Sequence, residues 1–175
     1  MSGAELPRRK RMRLPNYDYG TAGYYFVTVC TQDNRCVLGT VVGAGLARPE
    51  LSPVGQMVRE EAARLPERFP HVAVDKYVIM PNHVHAILRL SASSAPTASL
   101  PEILGAFKSL TTRRWNQVRG VMGERLWQRS YYDHVIGNQE DYLRIWQYIE
   151  ENPAKWREDR YYQPWYCLLY TSPSP

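Results

Sequence analysis

The sequence predicts an α+β fold, a ferredoxin-like two-layer sandwich of order βαββαβ with one further helix appended at the C-terminal side. Three observations predict it. Short β-branched and aromatic runs alternate with stretches of helical periodicity, two of those runs are separated only by Pro81-Asn82, and a last helical stretch follows the last run. The 175 residues suit one domain, read here as a basic arm over 1–23, a folded unit over 24–156 and a tail over 157–175.

The first strand is expected over 24–31 (YYFVTVCT), bounded by Gly23 and by Asp33-Asn34, with a short extension near 36–38. Residues 39–49 carry three glycines and read as a flexible connection. Ser52 then caps a helix that starts at Pro53, whose apolar residues Val54, Met57, Val58, Ala62 and Leu65 share one face and which ends near Pro66. Strands over 72–80 and 84–90 flank the Pro81-Asn82 turn and must be antiparallel neighbours, because so short a join cannot cross over. A Ser/Ala/Pro linker over 91–99 leads to a helix marked by Ile103, Leu104, Phe107 and Leu110, running to about Val118. A strand is expected over 126–136, closed by Gly137-Asn138. Tyr142, Ile145, Trp146 and Ile149 then recur at helical spacing over 140–151.

Composition narrows the function classes. No apolar run approaches the roughly 18 residues of a membrane span, and the charged N-terminus lacks an apolar stretch behind it, so the chain reads as cytoplasmic. Net charge is +5, and Arg8, Arg9, Lys10, Arg11 and Arg13 supply five of the 22 basic residues, so outside that arm the chain is neutral. The arm suits a phosphate backbone or, equally, a solvated tail. A second basic group, Lys108, Arg113, Arg114 and Arg119 beside Trp115, lies on the predicted second helix and reads either as a nucleic-acid contact or as a solvated helix surface.

Two constellations carry chemistry. His83 and His85 flank Val84 at the start of a strand, so both imidazoles project from one face while Val84, Ala86, Leu88 and Leu90 turn to the core. A two-residue step of roughly 6.6–7 Å lets both rings lean onto one ion with bonds of about 2.1 Å. The alternative is a pair of turn-end polar residues. Tyr148 and Asn152, four residues apart on the last helix, stack on one side at the edge of its apolar stripe, where a side chain can enter a cleft. As alternatives, Tyr148 is one packing tyrosine among 13, and Asn152 is a helix cap before Pro153.

The stretches KYVIMPNHVHAIL (76–88), GAFKSLTTRRWNQ (105–117), LWQRSYYDHVIGN (126–138) and YIEENPAKW (148–156) resemble the REP-associated tyrosine transposases of bacteria, single-tyrosine members of the HUH superfamily. That superfamily is named for two histidines about one hydrophobic residue, here His83-Val84-His85. The resemblance implies a metal-dependent single-stranded DNA endonuclease and strand transferase that acts on hairpin DNA through a covalent 5′-phosphotyrosine. It implies Tyr148 as the catalytic nucleophile and His83, His85 and Asn152 as ligands of Mg²⁺ or Mn²⁺. Lys108, Arg113, Arg114, Arg8, Arg9, Lys10 and Arg11 are then expected to grip DNA and Trp115 to stack on unpaired bases. His134 is expected to be structural or DNA-facing rather than a metal ligand.

The expected partners are single-stranded or hairpin DNA, with a homodimer as an option and no membrane, and the expected location is the cytoplasm at the nucleoid. Two features depart from the family: Gly137 stands where an arginine is usual, and the segment after Trp165 does not align. A non-cutting ferredoxin-like nucleic-acid-binding module is the alternative function, and a two-histidine metal carrier is a third.

Overall fold

The computed structural model describes residues 14–43 and 47–164, so Arg8, Arg9, Lys10 and Arg11 lie outside the described residues. Strands β1 (Gly23–Cys30), β4 (Val72–Met80), β5 (His83–Leu90) and β6 (Tyr132–Ile136) form one antiparallel sheet in the order β4-β5-β1-β6. Numbered by their place among these four strands, the order is second, third, first, fourth, which is the ferredoxin-like arrangement with the two edge strands flanking the central pair. The predicted fold class is borne out.

Helices α1 (Pro53–Ala63), with its short continuation α2 (Leu65–Arg68), and α3 (Leu100–Arg119) cover one face of the sheet. Val27, Val29, Val84, Ala86 and Leu88 meet Val58, Ile103, Leu104 and Phe107 there in the main core. Ser52 accepts the Gly55 N–H at 3.1 Å and donates to the Val37 carbonyl at 2.6 Å, tying α1 to the segment over 36–38, which is irregular rather than the strand extension expected there. Gly55 is required at this crossing, because a Cβ there would stand 2.0 Å from the Leu38 carbonyl oxygen. At the far end of α3, Gly120 takes the left-handed conformation (φ 65°) that closes a helix, which a β-carbon would disfavour.

Helix α4 (Gln139–Glu151) packs on the opposite face, where Ile145 and Ile149 meet Phe26 and Ile87. The appended helix therefore covers the face from which His83 and His85 project.

Three further sequence expectations change. Residues 39–49 are not merely a connection, since β2 (Gly39–Val42) and β3 (Arg48–Leu51) pair as a small separate ladder. The glycines masked the β-branched run Thr40-Val41-Val42. The strand expected over 126–136 is regular only in β6, because Leu126 and Trp127 turn into the core, with Trp127 bridging Thr31. Trp146, counted with the apolar stripe of α4, is 37% exposed and lies under the Lys76 ammonium at 4.0 Å from the ring centroid. No helix among the described residues is long and apolar enough to cross a membrane.

Candidate active site

Antiparallel pairing of β5 with β1 places Thr28 opposite His85 and Cys30 opposite His83. Both histidines are essentially buried, at 0% and 1% exposure, and their ring centroids are 4.4 Å apart. Each ring is held by its Nδ1. Asn82 donates its amide N–H groups to the carbonyls of Asn34 (3.2 Å) and Tyr161 (2.8 Å), which fixes the amide so that its Oδ1 faces His83 Nδ1 at 2.8 Å. That oxygen can only accept, so the His83 proton sits on Nδ1 and Nε2 keeps its lone pair. His85 Nδ1 is 2.7 Å from the Thr28 hydroxyl, an arrangement that likewise orients the ring. Burial pushes His83 down to about 4, with Asp159 opposing the shift, and burial and then the charges of His83 and Arg160 hold His85 well below the ordinary histidine range. Both rings are neutral at neutral pH.

From α4, Tyr148 brings its hydroxyl to 3.4 Å from His85 Nε2, while its ring meets Phe26 edge-on at 6.1 Å between centroids. The side chain is 43% exposed, so the phenol has one edge in the site and one toward water. Burial, then the Asp159 charge, pushes its pKa up to about 12, so the unassisted phenol is protonated. Asn152, one turn further on, is buried, and its amide nitrogen donates to Asp159 Oδ2 at 2.9 Å. The two sequence-predicted constellations therefore meet.

Two buried polar atoms at this meeting point, His83 Nε2 and Asn152 Oδ1, have no hydrogen-bond partner among the described residues. Both are lone-pair donors without a proton to offer, so a bound cation is one partner that would satisfy them. Asp159 joins them, and His83, His85 and Asp159 offer ligand atoms that all lie within 4.8 Å of one another, close enough to hold one metal ion. Two neutral imidazoles, a carboxylate and an amide oxygen thus fit a divalent metal.

Asp159 was missed by sequence reasoning, as was Tyr161, whose ring lies 4.6 Å from that of His83. Both sit in the stretch read as a tail, where no periodic pattern marks a structural role. The signal available was Trp156, which is buried and anchors the chain beside His83.

Residues 54–152 match the protein family described as "Transposase IS200 like". The chain belongs to the IS200-like transposases. An uncharacterized protein of Haemophilus influenzae is 31% identical over 177 residues, spanning 91% of this chain and 96% of that one. Among solved structures, the fold is similar to that of a REP-associated tyrosine transposase bound to a REP hairpin, with a TM-score of 0.55 and 22% identity over 82% of this chain and 73% of that chain. A putative transposase from Deinococcus radiodurans aligns at a TM-score of 0.48 and 19% identity, over 79% of this chain and 95% of the other. The family read from the sequence is thereby borne out.

Within this transposase, several residues expected to grip DNA are occupied elsewhere. Lys108 donates to the carbonyls of Gln128 (2.6 Å) and Arg129 (2.9 Å). Arg114 pairs with Glu61 (2.7 Å) and Glu60 (2.9 Å). Glu61 is buried and also meets Arg68 at 2.6 Å and Arg64 at 3.4 Å, so Arg114 belongs to a structural ion cluster between α1 and α3. Trp115 is only 4% exposed, with the guanidinium groups of Arg35 and Arg119 at 5.6 and 4.6 Å from its ring centroid, which leaves too little of the ring open for a base. The stacking expectation for Trp115 is therefore corrected, since helical periodicity alone did not say which side of α3 was inward. Arg113 is exposed and keeps its candidacy.

His134 on β6 bonds Asp141 at 2.7 Å, which ties that strand to the start of α4. It also lines a cleft of about 350 Å³ with Phe26, Tyr132, Arg144, Ile145 and Tyr148, beside the phenol. Arg160 places its guanidinium over Tyr132 at 5.9 Å and donates to the Tyr161 hydroxyl at 2.6 Å, bringing a positive charge to the mouth of this cleft.

Proposed function

We propose that this transposase is a metal-dependent single-stranded DNA endonuclease and strand transferase, with Tyr148 as the nucleophile. The observation that carries the reading is the 3.4 Å approach of the Tyr148 hydroxyl to His85 Nε2, beside the unpartnered His83 Nε2 and Asn152 Oδ1. In this reading His83, His85, Asn152 and Asp159 hold Mg²⁺ or Mn²⁺. When bound, the cation supplies charge neutralisation for the scissile phosphate and favours ionisation of a nearby phenol. The protein does the rest by placement. Asn82 and Thr28 fix the two imidazoles, Phe26 meets the phenol ring edge-on, and Trp156 and Tyr161 pack beside the His83 ring.

Tyr148 Oη attacks phosphorus as its proton leaves to water on the exposed edge. The new Oη–P bond replaces the P–O3′ bond, and the departing 3′ oxygen takes a proton to become a hydroxyl. Because the phosphotyrosine conserves the bond, a second 3′-hydroxyl can attack it, re-forming a P–O3′ bond and returning the phenol. Rejoining therefore needs no ATP. The substrate is single-stranded DNA with an adjacent hairpin, bound in the cytoplasm at the nucleoid.

A denaturing gel of protein incubated with hairpin-bearing DNA and Mn²⁺ tests this reading. A covalent adduct is expected from the native chain and none from Tyr148→Phe, which should still fold and bind. An adduct that survives the substitution assigns the nucleophile wrongly. Binding by the native chain without an adduct in either metal leaves the non-cutting DNA-binding module as the function.

A further inference from the structure

Beyond α4 the chain passes the buried Trp156 and enters a turn with Arg160 at its apex. That turn is held in place from several sides. Asp159 Oδ1 accepts the Tyr161 N–H at 2.7 Å, and the Asp159 carbonyl accepts the Tyr162 N–H at 2.9 Å. The Tyr161 carbonyl accepts from Asn82, whose Oδ1 also holds His83, so one amide ties the turn to the histidine pair. The Arg160 guanidinium carbon then lies 4.7 Å from the ring centroid of Tyr161 and 5.9 Å from that of Tyr132.

The charge so placed is unspent. Arg160 is exposed and makes no ion pair among the described residues, and the Tyr161 hydroxyl, at 2.6 Å, uses one of its five N–H groups. Neighbouring cations differ. Arg144, which lines the cleft with the phenol, is matched by Asp141, and Lys76, against α4, by Glu150. The field of Arg160 also reaches the phenol: burial, then Asp159 and Tyr161, push Tyr148 up, and the Arg160 charge opposes them. A planar fork with free donors, held beside the nucleophile and open to solvent, fits the non-bridging oxygens of a phosphodiester.

Formal charge says why the site needs it. Two neutral imidazoles and an amide leave Asp159 as the one carboxylate in the candidate ligand set, so a divalent cation there would keep a single net positive charge. A phosphodiester brings one negative charge and the attacking phenol oxygen, once it has shed its proton, a second. The transition state therefore exceeds the charge of the ligand set and cation by one. We infer that Arg160 contacts a non-bridging oxygen of the scissile phosphate and neutralises the charge that grows there in the transition state. Its guanidinium stays protonated throughout and moves no proton. The assignment rests on the tyrosine reading above and adds a catalytic residue beyond the 54–152 segment that matches the family.

The test uses a hairpin-bearing oligonucleotide whose cleavage position is mapped with the native chain, and a second copy with a neutral methylphosphonate in place of that one phosphate. Binding is measured first, in the Tyr148→Phe background without divalent metal. On the phosphate probe Arg160→Gln should lower the slope of log K against log salt by about 0.7, the value for one contact to a single strand. On the methylphosphonate probe it should change nothing, because the charge that Arg160 meets is gone. With Tyr148 intact and Mn²⁺ present, Arg160→Gln should slow adduct formation on the phosphate probe by about 10²–10³-fold. That gap should close on the methylphosphonate probe, while Mn²⁺ affinity and thermal melting hold. An equal loss on both probes, a fall in Mn²⁺ affinity that matches the fall in rate, or a native rate in Arg160→Gln overturns the assignment and leaves the tyrosine reading standing. No adduct from the native chain overturns that reading, and this assignment with it.

Discussion

Acidification of the metal-free protein should reveal the buried histidine pair. A histidine ring titrates at about 6.5 in the unfolded chain, whereas burial pushes His83 down to about 4 in the folded one. Below pH 6.5 the unfolded state therefore binds a proton that the folded state refuses. Stability is complete above the unfolded value, falls as pH drops from 6.5 toward 4, and levels off beneath it. At pH 5 the unfolded ring is almost fully charged and the folded ring only about one-tenth charged, a difference of about 2 kcal/mol from His83 alone. His85, held down by burial and by the charges of His83 and Arg160, adds in the same direction.

For a chain of this size a loss of 2 kcal/mol corresponds to roughly 4–8 °C in Tm. Urea unfolding at pH 7.5 and pH 5, on the native chain and on His83→Gln, reads the effect directly. The native chain should lose about 2 kcal/mol more than the variant between the two pH values. Equal losses in the two proteins, or a flat native profile, would refute the claim that the pair is buried neutral with its lone pairs available.

Two further perturbations separate the site's parts. Removing the amide that fixes His83, by Asn82→Ala, should weaken Mn²⁺ binding by about 10- to 100-fold in a calorimetric titration, and Asp159→Asn should do at least as much if the carboxylate is a ligand. Replacing Glu61 by Ala removes a buried carboxylate but leaves Arg64, Arg68 and Arg114 exposed enough to rehydrate, so unfolding in urea should show a loss of about 1–3 kcal/mol, the scale of the lost charge-assisted hydrogen bonds, while Mn²⁺ affinity holds.

Much of the architecture was legible because its signals are local. Alternation along 83–90 assigned Val84, Ala86 and Leu88 to the core and both histidines to the other face, and the structure keeps that division. The short Pro81-Asn82 join dictated antiparallel neighbours, and the spacing of Ile145 and Ile149 marked the buried side of α4. Where the pattern was broken the reading weakened. Glycines concealed β2 and β3, and the buried irregular stretch at 126–127 passed for strand because an apolar run looks alike in either conformation.

Residue types and spacings within single elements were thus enough to name the histidine pair and the tyrosine with its asparagine as two separate sets, and to suggest that they belong together. Only the tertiary structure decided that α4 crosses the histidine face, that Asp159 returns to the same point, and that Trp115 is buried and Arg114 held by Glu60 and Glu61 while Arg113 faces out. Periodicity specifies which side of an element is apolar, but which surface that side meets depends on packing between segments distant in sequence. For Asp159, 74 residues beyond His85 and outside any periodic element, the one nearby signal was Trp156, which marks a buried anchor and not which residue after it turns toward the histidines.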